Sequence, residues 1–347
     1  MNPINTALCS FGMSGWVFHA PFIHVHPGFN LYAVMERTKN LSQEKYPDTK
    51  VFRTMESMVN DPAVELVVVN TPNYTHYEYA KMALNAGKHV IVEKPFTVSS
   101  KEGEELIEVA KRENKKIIVY HNRRYDSDYK AIKKVLADKS LGEIVEAEIH
   151  FDRYKVDLSP KVHKETPGPG TGALYDLGSH LIDQALQLFG WPQALFADIR
   201  IIRPSSQVDD YFELIFYYPN HRVRLKSSYL VREALPGYQL HGTKGSFIKP
   251  RTDVQETLLQ SGKTPGTEDW GIEPETERGL IHAERDGKFV KEYVPSFRGN
   301  YLDFYEDVFQ CIRNNKTNPV PPEDGLNVVR IIEAARKSSE NRRAVDL

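Results

Sequence analysis

The chain has 347 residues, 27% charged and 40% hydrophobic, and 45 Lys and Arg against 47 Asp and Glu leave a net charge of −2. At about 150 residues per domain this length suggests two domains, each able to bury a core without disulfides or metals. The near-neutral balance excludes a protein that holds nucleic acid or an anionic membrane through a basic excess. Residues 4–10 read as a first strand, and further β-prone runs follow at 30–35, 64–69, 89–92 and 116–120. None approaches the roughly 18 apolar residues of a membrane helix. Between them lie helical patterns. In residues 74–85, Tyr77, Ala80, Met82, Ala83 and Leu84 form a mostly apolar stripe, closed by Gly87 at a C-cap position. Residues 99–114 open with Ser99, Ser100, Glu102, Glu104 and Glu105 and end with Lys111 and Arg112, as a helix dipole favours. Strands apolar on both faces and separated by helices predict an α/β fold with a doubly wound, Rossmann-type parallel sheet.

The first strand runs into Ser10-Phe11-Gly12-Met13-Ser14-Gly15, placed between strand and helix as a phosphate-binding turn must be. Gly12 would let the backbone approach a pyrophosphate, Gly15 would let the helix pack closely, and the helix N-terminus would supply N–H groups. Ser10 stands at the first glycine position of G-x-G-x-x-G, so the motif is weak alone. Glu36, about 20 residues further on, occupies the place of the acid that takes adenosine ribose hydroxyls. Its charge would repel a 2′-phosphate and favours NAD. Its neighbour Arg37 could pair with that phosphate and favour NADP.

The pattern changes after about Tyr125. Residues 126–139 read as a helix, and β-type segments follow at 144–154, 194–203, 211–218 and 222–229, the last two joined by a turn at Pro219-Asn220. A long helix at 173–189 interrupts them, residues 250–274 read as a polar surface excursion, and a helix at 323–341 closes the chain. The expected division is a dinucleotide-binding domain over 1–123 and an α+β domain with an open antiparallel sheet over 124–347. One face of that sheet would leave Tyr211, Phe216 and Tyr218 partly in water, which predicts a homo-oligomer, at least a dimer. Cys9 and Cys311 lie in no CxxC or Cys/His cluster, so no zinc site is expected, and with no basic or apolar leader visible the expected location is the cytoplasm. His19, His24 and His26 cluster on the first helix without suggesting a metal, His24 and His26 being expected to face solvent.

Further motifs narrow the function. Thr71-Pro72-Asn73 ends the third strand and is followed by His76. Glu93-Lys94-Pro95 ends the next, His121-Asn122 ends the fifth, and Tyr175-Asp176-Leu177-Gly178-Ser179-His180 lies on the long helix. With residues 12–21, these stretches resemble the Gfo/Idh/MocA family of nicotinamide-dependent oxidoreductases over the whole chain. His121-Asn122-Arg123-Arg124, Phe151-Asp152-Arg153-Tyr154 and Trp270-Gly271 resemble its subgroup containing NADP-dependent scyllo-inositol dehydrogenases. The resemblance implies cofactor contacts from Ser10, Phe11, Gly12, Met13, Ser14, Gly15, Glu36, Arg37, Thr71, Pro72, Asn73, His76, Glu93, Lys94 and Asn122. It also implies an oligomer interface on the second-domain sheet and puts His19 near the cofactor loop. Those inositol dehydrogenases have a small polar residue where Glu36 stands, and on that difference NAD is favoured here.

The chemistry of the residues agrees. Ligands of a doubly wound sheet bind beyond the carboxyl ends of its strands. Lys94 sits at such an end, where its ammonium could stabilise a developing alkoxide. Asp176 and His180 stand i,i+4 on a helix. The family match makes His180 a general base, with Asp176 orienting its ring. His121, Arg153 and Tyr154 are expected to touch substrate. The expected reaction is hydride exchange between NAD or NADP and a hydroxyl carbon of a polyol, cyclitol or sugar. A non-catalytic dinucleotide sensor and an NAD-dependent glycosidase stay open as alternatives, the first opposed by the presence of Lys94, Asp176 and His180.

Overall fold

Stretches in which every side chain is apolar need burial on both faces, and the first unit of the computed structural model is built on them. The structure describes residues 2–347. Its first unit comprises the chain up to Asn122 together with residues 255–270 and 300–327. Six strands, β1 (Ile4–Leu8), β2 (Phe29–Met35), β3 (Lys50–Phe52), β4 (Leu66–Val69), β5 (His89–Glu93) and β6 (Ile117–Tyr120), form a sheet in the order β3-β2-β1-β4-β5-β6. All pairings are parallel. The doubly wound fold is therefore the observed one. Leu66, Val67, Val68 and Val69 are completely buried, as are Val90, Ile91 and Val92. The helix Ser100–Arg112 is capped by Ser99, whose hydroxyl accepts the Glu102 N–H at 3.4 Å.

The second unit comprises residues 123–254, 271–299 and 328–347. Its nine strands are β7 (Ile144–His150), β8 (Ala194–Arg200), β9 (Tyr211–Tyr217), β10 (Arg222–Ser228), β11 (Tyr238–Gly242), β12 (Gly245–Lys249), β13 (Gly279–Arg285), β14 (Lys288–Val294) and β15 (Val345–Asp346). They lie in the order β14-β13-β12-β11-β7-β10-β9-β8-β15 and pair antiparallel except for β7 with β10. One sheet face carries Ala147, Ile149, Leu214, Phe216, Val223 and Leu225. These share a core with Leu181, Ile182 and Ala185 of the helix Ser179–Phe189 and with Ile331, Ile332 and Ala335 of the helix Pro322–Asn341.

Three expectations are corrected. Phe216 and Tyr218 do not face water. The period of two in β9 turns Phe212, Leu214 and Phe216 inward, and the Tyr218 hydroxyl donates to the Gly190 carbonyl at 2.9 Å. Only Tyr211 of that trio is partly exposed. His26 is buried against Phe29 and Phe309, with Nε2 3.0 Å from Glu306 and Nδ1 accepting the Gly28 N–H, so the solvent-facing assignment holds only for His24. Residues 250–274 are a surface excursion only in part: residues 260–264 and 266–269 are exposed, but both ends of the segment are anchored. Within the first unit Gln255 and Trp270 are buried, and Gln255 Oε1 accepts from Trp270 Nε1 at 3.2 Å and from the Tyr301 N–H at 2.8 Å. Within the second, Glu273 is paired with the fully buried Lys249 at 2.6 Å. Among the described residues, no helix is long and apolar enough to cross a membrane.

Candidate active site

In a parallel sheet every strand ends at the same edge, so the tips of β1, β2, β4, β5 and β6 in the first unit present their following residues together. The turn after β1 is locked by Asn70, at the tip of the neighbouring β4. Its side-chain oxygen accepts the Ser10 N–H, its side-chain nitrogen donates to the Ser10 carbonyl, and its own carbonyl accepts from Ser10 Oγ, each at 2.9 Å. A Cβ on Gly15 would stand 2.3 Å from the Ser10 carbonyl oxygen, so only glycine permits this approach, whereas Gly12 is exposed and its Cβ position meets only Ser10 Oγ at 3.9 Å. Phe11 lies against Tyr46, and Met13 is exposed. A π-helical turn, Ser14–His19, follows. Such turns are rare and recur at functional sites.

At the tip of β4, Thr71 Oγ1 lies 2.6 Å from Thr75 Oγ1, and the 3₁₀ turn Asn73–Thr75 follows Pro72. His76 is completely buried, its ring nitrogens 2.8 Å from the Pro95 carbonyl oxygen and 3.0 Å from that of Thr71. Its ring ties two turns together and has no surface left to offer a ligand. At the tip of β5, Glu93 Oε1 accepts from His19 Nε2 at 3.0 Å and from Ser14 Oγ, and Oε2 accepts the Lys94 N–H at 3.2 Å. The peptide that follows, Lys94-Pro95, is cis. Burial alone would raise the Glu93 carboxyl. The His19 hydrogen bond and charge, the Ser14 hydroxyl and the Lys94 charge outweigh it and hold the group at about 2. At the tip of β6, His121 and Asn122 are buried.

Glu36, at the tip of β2, is not turned out toward a ribose. Its carboxylate accepts the Leu41 N–H at 2.8 Å, the Ser42 N–H at 2.9 Å and Ser42 Oγ at 2.6 Å, capping the short helix Leu41–Lys45. The reason is local. The helix starts five residues later with its first N–H groups unpaired by the helix itself, and a carboxylate at its N-terminus satisfies them and complements the dipole. Arg37, by contrast, is exposed. Asn70 and Tyr305, whose hydroxyl lies 2.7 Å from His19 Nδ1, were absent from the sequence-predicted site.

In the second unit, Asp176 lies in a π-helical turn, Leu174–Gly178, and His180 in the first turn of the helix that continues it. Asp176 Oδ2 accepts from Lys164 Nζ at 3.0 Å, and His180 is 6% exposed. Nearby on the same helix, Asp183 accepts from Arg124 Nε at 2.9 Å. Arg153 and Tyr154 are exposed. Arg153 lies over the Phe151 ring, and Tyr154 accepts from Arg232, whose guanidinium covers its ring at 4.2 Å.

A six-stranded doubly wound parallel sheet with a glycine turn after its first strand defines a dinucleotide-binding fold. Sequence models described as "Oxidoreductase family, NAD-binding Rossmann fold" and "Oxidoreductase family, C-terminal alpha/beta domain" match residues 4–121 and 133–347. The chain is similar to scyllo-inositol 2-dehydrogenase (NADP(+)) IolW of Bacillus subtilis, with 38% identity over 100% of this chain and 97% of that protein. It is similar to a solved structure from Bacteroides fragilis, with 46% identity, all of both chains covered and a TM-score of 0.92. A structure of yvaA from Bacillus subtilis matches at 37% identity with a TM-score of 0.95, covering 100% of this chain and 98% of that one. The chain belongs to the Gfo/Idh/MocA family and is a nicotinamide-dependent oxidoreductase.

The turn fits such a cofactor. Gly12 leaves open space in which a pyrophosphate would be able to approach the backbone, and the locked Ser10 and Gly15 bring the following turn close behind it. One consequence follows for stability. Glu93 has its folded carboxyl held below its ordinary 4.5, so its ionised form stabilises the fold fully above about pH 5 and loses that contribution as pH falls toward about 2. Glu93→Gln should flatten the fall of Tm over that window. An unchanged slope in the variant shows that the carboxylate contributes nothing there.

Proposed function

We propose that the protein is an NADP-dependent dehydrogenase or reductase that interconverts a secondary alcohol and its ketone on a polyol, cyclitol or sugar. The observation that carries this reading is Lys94, at the carboxyl end of β5 in a turn whose Glu93 is bonded to the phosphate-binding turn through Ser14. When bound, the nicotinamide accepts or returns the hydride of the reacting carbon. Ser10, Phe11, Gly12, Met13, Ser14 and Gly15 hold the dinucleotide, with Thr71, Pro72, Asn73 and Asn122 bordering it. Lys94 Nζ donates to the substrate oxygen as that oxygen gains negative charge. His180 takes the hydroxyl proton through its imidazole, the side chain suited to do so near neutral pH. Asp176 orients and balances His180, and His121, Arg153 and Tyr154 contact the substrate. The similarity to an inositol dehydrogenase supports a cyclitol as the first substrate to test.

The capping role of Glu36 supports NADP over NAD. A carboxylate bound by two backbone N–H groups and a hydroxyl repels a 2′-phosphate less than a free one does, and leaves the exposed Arg37 to pair with it. We further place a dimer, at least, on the sheet face opposite the core. The support is Phe289, 81% exposed, and Tyr293, 65% exposed, on the same face as the half-buried Tyr211, Ile215 and Tyr217.

Lys94→Ala and His180→Ala should each lower kcat by about 10²–10⁴-fold on inositols or aldoses, with cofactor Kd nearly unchanged. The double variant should fall far less than the product of the singles, because both act in one step. Wild-type turnover in either single variant removes that residue from the reaction. Arg37→Ala should lower kcat/KM for NADP by about ten-fold or more, about 1.4 kcal/mol, and barely touch NAD. Glu36→Ala should destabilise the protein by about 1 kcal/mol as a lost cap and leave the NADP:NAD ratio within about three-fold. A ratio that moves ten-fold with Glu36 instead restores it to the ribose site. Light scattering at micromolar concentration should give at least twice the chain mass, and a monomeric mass rules out the sheet-face dimer.

A further inference from the structure

We infer that Tyr305 and His19 are positioning residues for Lys94: Tyr305 fixes the proton of His19 on Nε2, and that Nε2–H holds the Glu93 carboxylate on which the Lys94 backbone rests. This rests on the proposed role of Lys94 and adds residues that the reading above does not use. All the groups lie in the first unit.

The direction of each hydrogen bond follows from what its partners can do. An ionised Glu93 only accepts, so His19 must donate from Nε2, 3.0 Å away. In the neutral imidazole Nδ1 is bare, with Tyr305 Oη 2.7 Å away, whereas the imidazolium whose charge lowers Glu93 in acid would donate from both nitrogens. The phenol has one proton to give. The competing acceptors are the Phe18 carbonyl, 3.4 Å from Tyr305 and already taking the Tyr120 hydroxyl at 2.8 Å, and the Tyr120 hydroxyl oxygen, a weaker acceptor than a bare imidazole nitrogen. Burial and then the Glu93 charge push the Tyr305 phenol well above its ordinary value, so it keeps that proton. The ring of His19 is completely buried and packed 4.4 Å from that of Tyr120, which leaves it no room to turn over.

The chain ends on both halves of the site. Glu93 Oε1 accepts from His19 and Ser14, in the turn after β1, while Oε2 accepts the Lys94 N–H at 3.2 Å. Tyr305 itself is anchored from outside the site. It stacks on Phe22 and belongs to the helix Leu302–Arg313, whose start is pinned where Gln255 Oε1 accepts the Tyr301 N–H. A loosened Glu93 should therefore displace Lys94 while the Asn70–Ser10 bonds still hold the phosphate-binding turn.

The test uses the full-length protein with ¹⁵N-labelled histidine, cofactor Kd from nicotinamide fluorescence, and steady-state kinetics. His19 should resonate as the Nε2–H tautomer in the wild type, and Tyr305→Phe should weaken that preference about ten-fold. Tyr305→Phe should lower kcat by about ten-fold and leave cofactor Kd within about three-fold. His19→Gln can still present an N–H near the Nε2 position and should retain kcat at least ten-fold above His19→Asn, whose shorter amide cannot reach Glu93. An Nδ1–H tautomer in the wild type, equal activity of the Gln and Asn variants, or a Kd that weakens in step with kcat each overturns the inference. Lys94→Ala with wild-type kcat fails differently: it removes the role of Lys94, and with it the reason for the chain, while the tautomer readout stays as expected.

Discussion

A carboxylate largely removed from water is costly unless its oxygens are occupied, and Glu93, 13% exposed, is the point at which the first unit meets that requirement. Its donors come from two stretches of chain, Ser14 and His19 after β1 and the Lys94 N–H after β5, with Tyr305 behind His19. Removing any one donor leaves a carboxylate oxygen short of a partner in a part-buried setting, where an unmade hydrogen bond costs more than a made one gains. That asymmetry makes Glu93 a constraint on geometry more than a source of stability. The glycine turn after β1 and the turn that carries Lys94 are held to one another because both are needed to satisfy the same group.

His76 is a related case one strand over, buried between the carbonyls of Thr71 and Pro95, and in the neutral form that burial favours it donates to one of them. Asn70 is another, between β1 and β4. The edge of the parallel sheet is thus a row of turns cross-tied by buried polar side chains, each reaching to the next strand. Such ties suit an edge where strands end and ladder hydrogen bonds run out, since the freed backbone groups need partners of another kind.

What could be read from the sequence was what is contiguous in it. The all-apolar runs of β4, β5 and β6 announced a parallel sheet, and Gly12, Gly15 and Glu93-Lys94-Pro95 marked turns that lie at the carboxyl edge of that sheet, because each motif is complete within a few residues. β3 was invisible, being three residues with no period to detect. So were β11 to β14, where Gly, His and charged residues blur the alternation. Residues 250–274 misled through composition. Their Gly and Pro mark turns, but Trp270, Gln255 and Glu273 between those turns are buried. Glu36 misled differently. Its position matched a ribose acid, yet the nearby helix start at Leu41 competed for the same oxygens and took them. Asn70 and Tyr305 gave no signal at all, because their partners lie 60 and 286 residues away.

The meeting of Ser14 and His19 on one oxygen of Glu93 shows why spacing rules fail at this site. The two residues are five apart, and on an α-helix at 3.6 residues per turn they would point about 140° away from each other. No reading based on α-helical faces would pair them. The chain after Gly12 instead forms a π-helical turn over Ser14–His19, whose i→i+5 bonding brings residues five apart close to one face. Both side chains then reach Glu93 Oε1. A π-turn is less favourable than an α-turn and persists only where the surroundings repay it. Here Gly15 is pressed against the Ser10 carbonyl on one side, and the part-buried Glu93 carboxylate takes two donors on the other. The irregular turn is therefore a consequence of the Glu93 constraint, and restoring regular α geometry there would separate Ser14 from His19 and break the bond between the two halves of the ligand edge.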